Sequence, residues 1–313
     1  MIDKTYICVV VIISFSLIAC ILVCLATLWT PKMRSKGFNV YLAAILLPDI
    51  ILNISAFIVY CIQFAEDKYI EEVSLNGCAF IVMIYGYYIF CNMWTSALIC
   101  HEVHMLLVKS YRAERFTPST PLAVTKKVAL VNFIACLAMI TTYVIVPLFD
   151  IDTVRNACFG VETTETNISM STIVIFSFLP LVYICYVTFD VYWRKLLPPA
   201  GKSRFVASFF LRTAIISTIL TVVVTIANFM RTDIAWNIAL VIQHGQGLIV
   251  GGLSMMKPDV QKTIWQIVSC QRSADESNNS TAYTINKRIS KETVIVDVES
   301  NVAKSEVESP SSQ

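Results

Sequence analysis

Polar side chains inside long apolar stretches are the residues of this sequence that could do chemistry. Asp49 and Asn53 lie in one such stretch, Asn92 in another, and His244 and Gln246 in the last. An ionisable group inside a bilayer is costly, and is therefore a functional candidate by default. Depth alone would let Asp49, Asn92, His244 and Gln246 meet, with Asn53 one turn above Asp49. A carboxylate there could hold Na⁺ or take up a proton. The alternative is a static hydrogen-bonded cluster that joins helices.

A second candidate pair lies nearer one end of the apolar stretches. Glu102 is close to the end of the third stretch, and Arg212 opens the sixth. A buried carboxylate needs a cationic partner, and Arg212 is at a similar depth. The sequence therefore predicts an inner lock between Glu102 and Arg212. The alternative is that each side chain extends to water at the membrane surface.

Composition indicates that membrane-spanning helices hold these residues. Of 313 residues, 56% are hydrophobic and 15% charged, whereas soluble domains are about 45–50% apolar and about 25% charged. A helix needs about 20 apolar residues to cross a bilayer, and seven runs qualify. We number them spans one to seven: 6–29, 38–64, 78–107, 128–149, 171–193, 211–230 and 235–256. The predicted fold is an all-α bundle of seven transmembrane helices.

Several function classes are disfavoured. A net charge of +2 argues against a nucleic-acid binder. The chain has no CxxC motif or Cys/His cluster, so we expect no metal site and no cofactor. A retinal protein needs a lysine in the last span, and none precedes Lys257. Asp49 is the one aspartate deep in a span, so paired catalytic groups are missing and we do not expect an enzyme.

Charge distribution predicts the orientation. Lys and Arg cluster after spans one, three, five and seven, and acidic residues predominate in the other loops. Because basic loops stay in the cytoplasm, the N-terminus is expected outside and the C-terminus inside. The sequence Asn167-Ile168-Ser169 is a glycosylation sequon in a predicted outside loop.

Two cysteines stand apart from those within the spans. Cys78 is at the outer end of span three, and Cys158 is in the loop between spans four and five. Both would face the oxidising side, where a disulfide can form and persist. We expect the two to be bridged, and the alternative is two free thiols.

Seven spans, an outside N-terminus and this cysteine pair resemble the G-protein-coupled receptors, of the rhodopsin-like or cAMP-receptor-like type, over about residues 6–270. Asp49 matches the family's span-two aspartate, and Pro180 its span-five proline. The family's acid–Arg–aromatic triplet reads Glu102-Val103-His104 here, with the acid and without the Arg. The predicted Glu102–Arg212 lock would replace that arginine.

The resemblance implies a receptor in the cell membrane that converts an extracellular stimulus into recruitment of a cytoplasmic partner. A ligand of unknown type would bind within the bundle, and a heterotrimeric G protein or adaptor would bind the basic inner loops. The alternative is a seven-span transporter or channel with Asp49 on its pathway. The candidate ligand-pocket residues are Tyr85, Tyr88, Trp94, Trp236 and Gln243.

The chain after span seven divides into two predicted segments. Residues 258–270 have one apolar face at helical spacing, which is typical of a short helix on the inner leaflet. Cys270 ends it and is a palmitoylation candidate. Residues 271–313 are polar and predicted to be disordered. The expected organisation is thus a transmembrane domain 1–257, a surface helix and a cytoplasmic tail.

Overall fold

The computed structural model describes residues 4–66, 75–112, 114, 118–140, 164–198, 202–230 and 233–269. Within these ranges it describes the side chains of 7–61, 83–112, 114, 118–140, 176–198, 204–227, 230, 234–235 and 237–269. This part of the chain is helical and contains no strand, so the predicted all-α class is confirmed.

Seven long helices and two short ones make up the described residues. The long helices are α1 Lys4–Leu28, α3 Gly37–Glu66, α4 Leu75–Tyr111, α5 Pro121–Ile140, α6 Thr164–Trp193, α7 Lys202–Met230 and α8 Asp233–Met255. The short ones are α2 Pro31–Arg34 and α9 Pro258–Val268. The bundle has a basic end, defined as the end at which α1, α4, α6 and α8 finish and α3, α5 and α7 begin.

Among the described residues, six helices are long and apolar enough to cross a membrane. Their apolar segments are Ile7–Leu28, Gly37–Cys61, Pro121–Ile140, Phe176–Trp193, Arg204–Ala227 and Asn237–Met255. The chain therefore has the character of a multi-pass membrane protein. Helix α4, which contains predicted span three, is not among the six, because tyrosines and polar residues lower the mean hydropathy of its described part.

Two helices begin earlier than the apolar runs predict. Helix α5 begins at Pro121 rather than at 128, and α7 begins at Lys202 rather than at 211. Thr120 accepts a hydrogen bond from the backbone N–H of Ala123 at 3.3 Å, and proline is well suited to the first helical position. Hydropathy marks the part of a helix that is apolar, and these two helices continue beyond it at the basic end.

Helix α4 occupies the centre of the arrangement. It packs against α3, α5, α6 and α7, whereas α1 packs against α3 and α8. Helix α8 also packs against α7 and α3. Polar residues on the inner faces of α1, α3, α4, α7 and α8 therefore share one interior.

Two glycines allow α8 to lie close to α1. A Cβ atom on Gly247 would stand 2.6 Å from Oγ of Ser16 and 2.7 Å from Sγ of Cys20. One on Gly251 would stand 3.2 Å from Cβ of Ala19. Helix α8 is continuous through both glycines, so they serve close helix packing here.

The chain divides into two units, Met1–Ile264 and Trp265–Gln313. The first contains all the long helices and the start of α9, where Val260 and Thr263 are buried. The second is described only as far as Ser269. Cys270 and the predicted tail 271–313 lie outside the described residues.

Candidate functional site

A first buried hydrogen-bonded chain joins α8, α3 and α1. Nδ1 of His244 lies 2.8 Å from Oδ1 of Asn53, so this ring nitrogen donates to the amide oxygen. The amide nitrogen of Asn53 donates to Oγ of Ser16 at 3.0 Å. All three side chains are buried. The structure thus brings two of the predicted core residues, His244 and Asn53, into direct contact, and Asn53 extends the chain to a serine that the sequence analysis missed.

A second buried chain joins α4, α7 and α8 around Gln246. The Tyr88 hydroxyl donates to Oε1 of Gln246 at 2.6 Å, and the Thr221 hydroxyl donates to the same oxygen at 3.4 Å. Nε2 of Gln246 donates to Oγ of Ser217 at 3.1 Å. The amide of Gln246 therefore has partners at both its oxygen and its nitrogen. Tyr88, which is also a candidate ligand-pocket residue, is part of this network.

Asp49 lies between the two networks and is bonded to neither. Its side chain is completely buried, and both carboxyl oxygens are without a hydrogen-bond partner among the described residues. Its Cβ atom would be 3.2 Å from a Cβ on Gly247, and the thiols of Cys20 and Cys24 lie nearby. A buried polar atom without a partner costs about 1–3 kcal/mol, and a charged one more. Such an atom needs a water molecule, an ion or a proton to satisfy it.

Three side chains on α4, those of Asn92, Trp94 and Ser96, also have buried polar atoms without a hydrogen-bond partner among the described residues. Asn92 and Ser96 follow Tyr88 at successive helical turns, which places all three on one face of α4. Asn92 and Ser96 are buried, and none of their side-chain nitrogen and oxygen atoms has a partner within the described part of the chain. The interior thus presents unsatisfied oxygens on α3 and α4, the atom type that binds hard cations and water.

The described residues contain no group of three His, Cys, Asp or Glu side chains that could hold a metal ion. This finding concerns clusters of those four residue types, and it does not bear on a single buried carboxyl group such as that of Asp49. The candidate site for a monovalent cation or a proton is therefore Asp49, and Asn92 and Ser96 are further unsatisfied groups of the same interior.

At the basic end, Glu102 is paired with a residue other than the predicted one. Nζ of Lys127 lies 2.6 Å from Oε1 of Glu102, and that oxygen also accepts from the hydroxyls of Ser119 at 2.6 Å and Tyr41 at 3.5 Å. Arg212 is exposed and does not contact Glu102. The expected Glu102–Arg212 lock is therefore corrected to a Glu102–Lys127 pair.

The correction has two physical causes. The fourth apolar run begins at residue 128 and leaves Lys127 outside the predicted span, but α5 begins at Pro121 and holds Lys127 in its second turn. Arg212 is on the outer side of α7, because its neighbours Leu211 and Thr213 are buried while Arg212 is exposed. Depth along a helix can be counted from the sequence, whereas the rotation of an apolar helix about its axis cannot.

A second ion-paired group joins α6 to α4. Asp190 accepts from Nε2 of His104 at 2.9 Å and from Nε of Arg194 at 2.7 Å. One helical turn away, Nδ1 of His101 lies 2.7 Å from the Tyr183 hydroxyl. Both histidines of predicted span three therefore contact α6 and not the polar core.

A third group surrounds Lys257, in the turn between α8 and α9. Its ammonium donates to Oδ1 of Asn39 and lies 3.4 Å from Oδ1 of Asp259. It also lies 5.4 Å from the centre of the Phe210 ring. The other carboxyl oxygen of Asp259 is 3.0 Å from Nζ of Lys36. One buried cation thus contacts residues of α3, α7 and α9.

Burial and the neighbouring charges shift the pKa values of both Lys257 and Asp259. Burial lowers the pKa of Lys257 below its ordinary value, although Asp259 acts against this. Burial alone would raise the pKa of Asp259, but Lys257 and Lys36 outweigh it and hold that pKa below the usual range. Asp259 therefore stabilises the fold above its ordinary pKa and loses this contribution as the pH falls through its lowered value.

The structure describes four of the five predicted ligand-pocket side chains. Tyr85 stacks on Tyr88 with ring centres 6.2 Å apart, whereas Trp94 stacks on Phe90 at 5.9 Å in a packing cluster that includes residues of α5 and α6. Gln243 is half-buried. The side chain of Trp236 lies outside the described residues, so the pocket stays a prediction.

The predicted covalent sites also lie beyond what the structure describes. Cys78 is in the first turns of α4 and Asn167 in the first turn of α6, a helix rather than the expected loop, and neither side chain is described. Cys158 and Cys270 lie outside the described residues. The eight cysteines described are free thiols.

Comparison with protein-family models and with curated proteins gives no match for this chain. The resemblance to G-protein-coupled receptors therefore rests on the topology and the few residues named above. What the molecule does has to be inferred from its buried polar groups and its ion pairs.

Proposed function

We propose that the chain is a seven-span receptor in the cell membrane, with α4 as its third span, its N-terminus outside and its basic end in the cytoplasm. It converts an extracellular stimulus into recruitment of a cytoplasmic partner, a heterotrimeric G protein or an adaptor. The observation that carries the proposal is Asp49, a completely buried carboxyl group without a partner among the described residues, between α1, α3 and α8.

Such a group gives a helix bundle two states of different charge. A ligand shifts an equilibrium between two conformations only by its difference in affinity for them. A Na⁺ ion or a proton neutralises Asp49 while the interior is closed, and it leaves when a rearranged interior gives the carboxylate other partners. Each tenfold difference in cation affinity between the states contributes about 1.4 kcal/mol to the equilibrium.

The basic end supplies the surface for the partner. Exposed basic side chains are spread over several of its helices and turns: Lys32, Arg34, Lys126, Arg194, Lys195, Arg212 and Lys262. A surface of one sign speeds the approach of an oppositely charged partner. An acidic face on a G protein or adaptor therefore fits this end, and the opposite loops, with their acidic residues, do not suit it.

The alternative function is a transporter or channel with Asp49 on its pathway. Transporter sites are typically formed by interrupted helices near the membrane midplane. Helix α8 carries four glycines, Gly245, Gly247, Gly251 and Gly252, yet it is continuous from Asp233 to Met255. Gly247 and Gly251 are in close contact with α1. This packing favours the receptor over the transporter.

The experiment that tests the proposal is nucleotide exchange by purified protein in lipid nanodiscs. GTPγS binding is measured on a panel of G-protein α subunits with their βγ partners, with and without the chain and its Asp49→Asn variant. A receptor accelerates exchange on at least one α subunit, and Asp49→Asn changes that rate. No acceleration on any subunit, together with Asp49-dependent ²²Na⁺ uptake or acidification in proteoliposomes, would replace the receptor by the transporter.

A further inference from the structure

Lys257 is an unusual residue for its position, because a lysine in a turn at the membrane surface can normally extend into water. Here the side chain is directed inward and the residue is only 6% exposed. Its backbone N–H donates to Ser254 at 3.2 Å, and its carbonyl accepts from Gln261 at 2.9 Å. The residue therefore connects the last turn of α8 to the first turn of α9 and holds its ammonium group inside the basic end.

The polar partners of Lys257 belong to elements that are joined to one another. Asn39, whose oxygen accepts from the ammonium, also donates from its amide nitrogen to the backbone oxygen of Met33 at 2.9 Å. Asp259 is bridged to Lys36 at 3.0 Å. The loop before α3, the start of α3 and the start of α9 are thus tied together around the cation by polar contacts.

Helix α7 meets the same cation through an aromatic ring. The Phe210 ring is 5.4 Å from the Lys257 ammonium, and the residue is completely buried. Phe38 of α3 packs on this ring with centres 4.8 Å apart, and Phe209 meets it edge-on at 5.1 Å. A cation over an aromatic face is attracted by the ring quadrupole, and more strongly where water is excluded.

The two kinds of contact respond differently to motion of α7. If the start of α7 moves outward, Phe210 leaves the cation and water reaches Lys257, while Asn39 and Asp259 stay bonded to it. Hydration of the ammonium offsets part of the lost attraction, so the contact can open reversibly. The other paired acids do not constrain this motion directly, because Glu102 joins α4 to α5 and Asp190 joins α6 to α4.

We propose that the contact between the Lys257 ammonium and the Phe210 ring is a conformational latch that holds the basic end of α7 against α3 and the α8–α9 turn. When this contact opens, the start of α7 moves outward and exposes the surface that it covers at the basic end. The latch does not depend on the receptor proposal, because a transporter that closes at its basic end would need the same element.

The latch is tested by double electron–electron resonance between spin labels in purified protein in nanodiscs. Labels are attached through keto amino acids at Arg34 and Phe205, two exposed positions on α2 and on α7, which leaves the native cysteines unlabelled. Phe210→Leu removes the ring and retains every polar partner of Lys257. We expect it to lower the ratio of the short to the long distance population about tenfold.

Companion variants separate the latch from general packing. Lys257→Met should shift the distances as Phe210→Leu does, and the double variant should add little, because either change already removes the contact. Phe210→Tyr and Lys257→Arg keep a ring and a cation and should resemble the native protein. Phe209→Leu is the matched control, since it removes a neighbouring ring that packs on Phe210.

The proposal is overturned if Phe210→Leu leaves the distances unchanged, or if Phe209→Leu shifts them equally. Lys257→Met also removes the partner of Asn39 and Asp259, so it can fail to fold; the outcome then rests on Phe210→Leu, checked by its melting temperature. The measurement needs no ligand and no G protein. Failure of the latch therefore leaves the receptor proposal standing, and failure of nucleotide exchange leaves the latch standing.

Discussion

Buried acidic groups in the middle of the bundle and at its basic end differ in whether they have a partner among the described residues. At the basic end, Glu102 is paired with Lys127, and Asp190 with His104 and Arg194. In the middle, Asp49 is more completely buried than either acid and has no hydrogen-bond partner within the described residues.

The difference separates a structural role from a functional one. An acid that is paired in the fold fixes the distance between two helices, and little is gained by binding anything else. An acid without a partner costs free energy until a proton, a cation or water satisfies it. We therefore infer that Glu102 and Asp190 hold helices in position and that Asp49 takes part in the proposed change of state.

The largest effect is expected where α8 encloses Asp49. Gly247→Ala places a Cβ 2.6 Å from Oγ of Ser16 and 2.7 Å from Sγ of Cys20, so these two buried side chains must turn away or α1 and α8 must separate. Overpacking of this kind typically costs about 1–3 kcal/mol, and we expect the upper end of this range as a lower melting temperature in detergent. Gly252→Ala is the matched control, with no atom within 4 Å of the new Cβ; equal losses in both variants would contradict the close packing.

The next effect distinguishes the observed partner of Glu102 from the one expected from the sequence. Lys127→Met leaves Glu102 buried with only hydroxyl partners, and should destabilise the protein by about 2 kcal/mol. Arg212→Met removes an exposed side chain, and should change stability by less than about 0.5 kcal/mol. Thermal melting of both variants measures the comparison. A larger loss of stability in Arg212→Met than in Lys127→Met would contradict the Glu102–Lys127 pair and favour the Glu102–Arg212 pair expected from the sequence.

The smallest effect is expected at the exposed partner of Asp190. The Arg194 side chain is 66% exposed and one turn from Asp190, so the pair is screened by water. Arg194→Ala should cost no more than about 0.5 kcal/mol, as such helix pairs do. His104→Ala should cost more, because it removes the link between α4 and α6. A reversed order in the two melting temperatures would show that helix pairing at the basic end does not depend on His104.

The sequence predicted the helical class and the membrane character, because both follow from long apolar runs. It missed the starts of α5 and α7, because hydropathy marks where a helix is apolar and these helices continue into polar sequence. Asp49, Asn53, His244 and Gln246 were found by depth alone, since an ionisable or amide side chain is conspicuous in an apolar run.

The partners of these residues could not be found in the same way. Ser16, Ser217 and Thr221 complete the two networks, yet single hydroxyl residues are common in apolar helices and carry little signal. In α1, the buried residues Ile13, Ser16, Cys20 and Thr27 recur at helical spacing, which indicates one face but not which helix it meets. Which helix this face meets depends on the rotation of α1 about its axis, and a run that is apolar on all sides does not specify that rotation.

We infer that Asp49 binds a monovalent cation or a proton, because its carboxyl oxygens have no hydrogen-bond partner among the described residues. The most direct test is the melting temperature of the native protein and of Asp49→Asn, with NaCl titrated against N-methylglucamine chloride at constant ionic strength and then with pH lowered. We expect Na⁺ or acid to raise the melting temperature of the native protein, because a ligand bound only by the folded state stabilises that state. We also expect Asp49→Asn to be at least as stable in the absence of Na⁺ and to respond to neither. Equal responses of the two proteins would contradict a cation or proton site at Asp49.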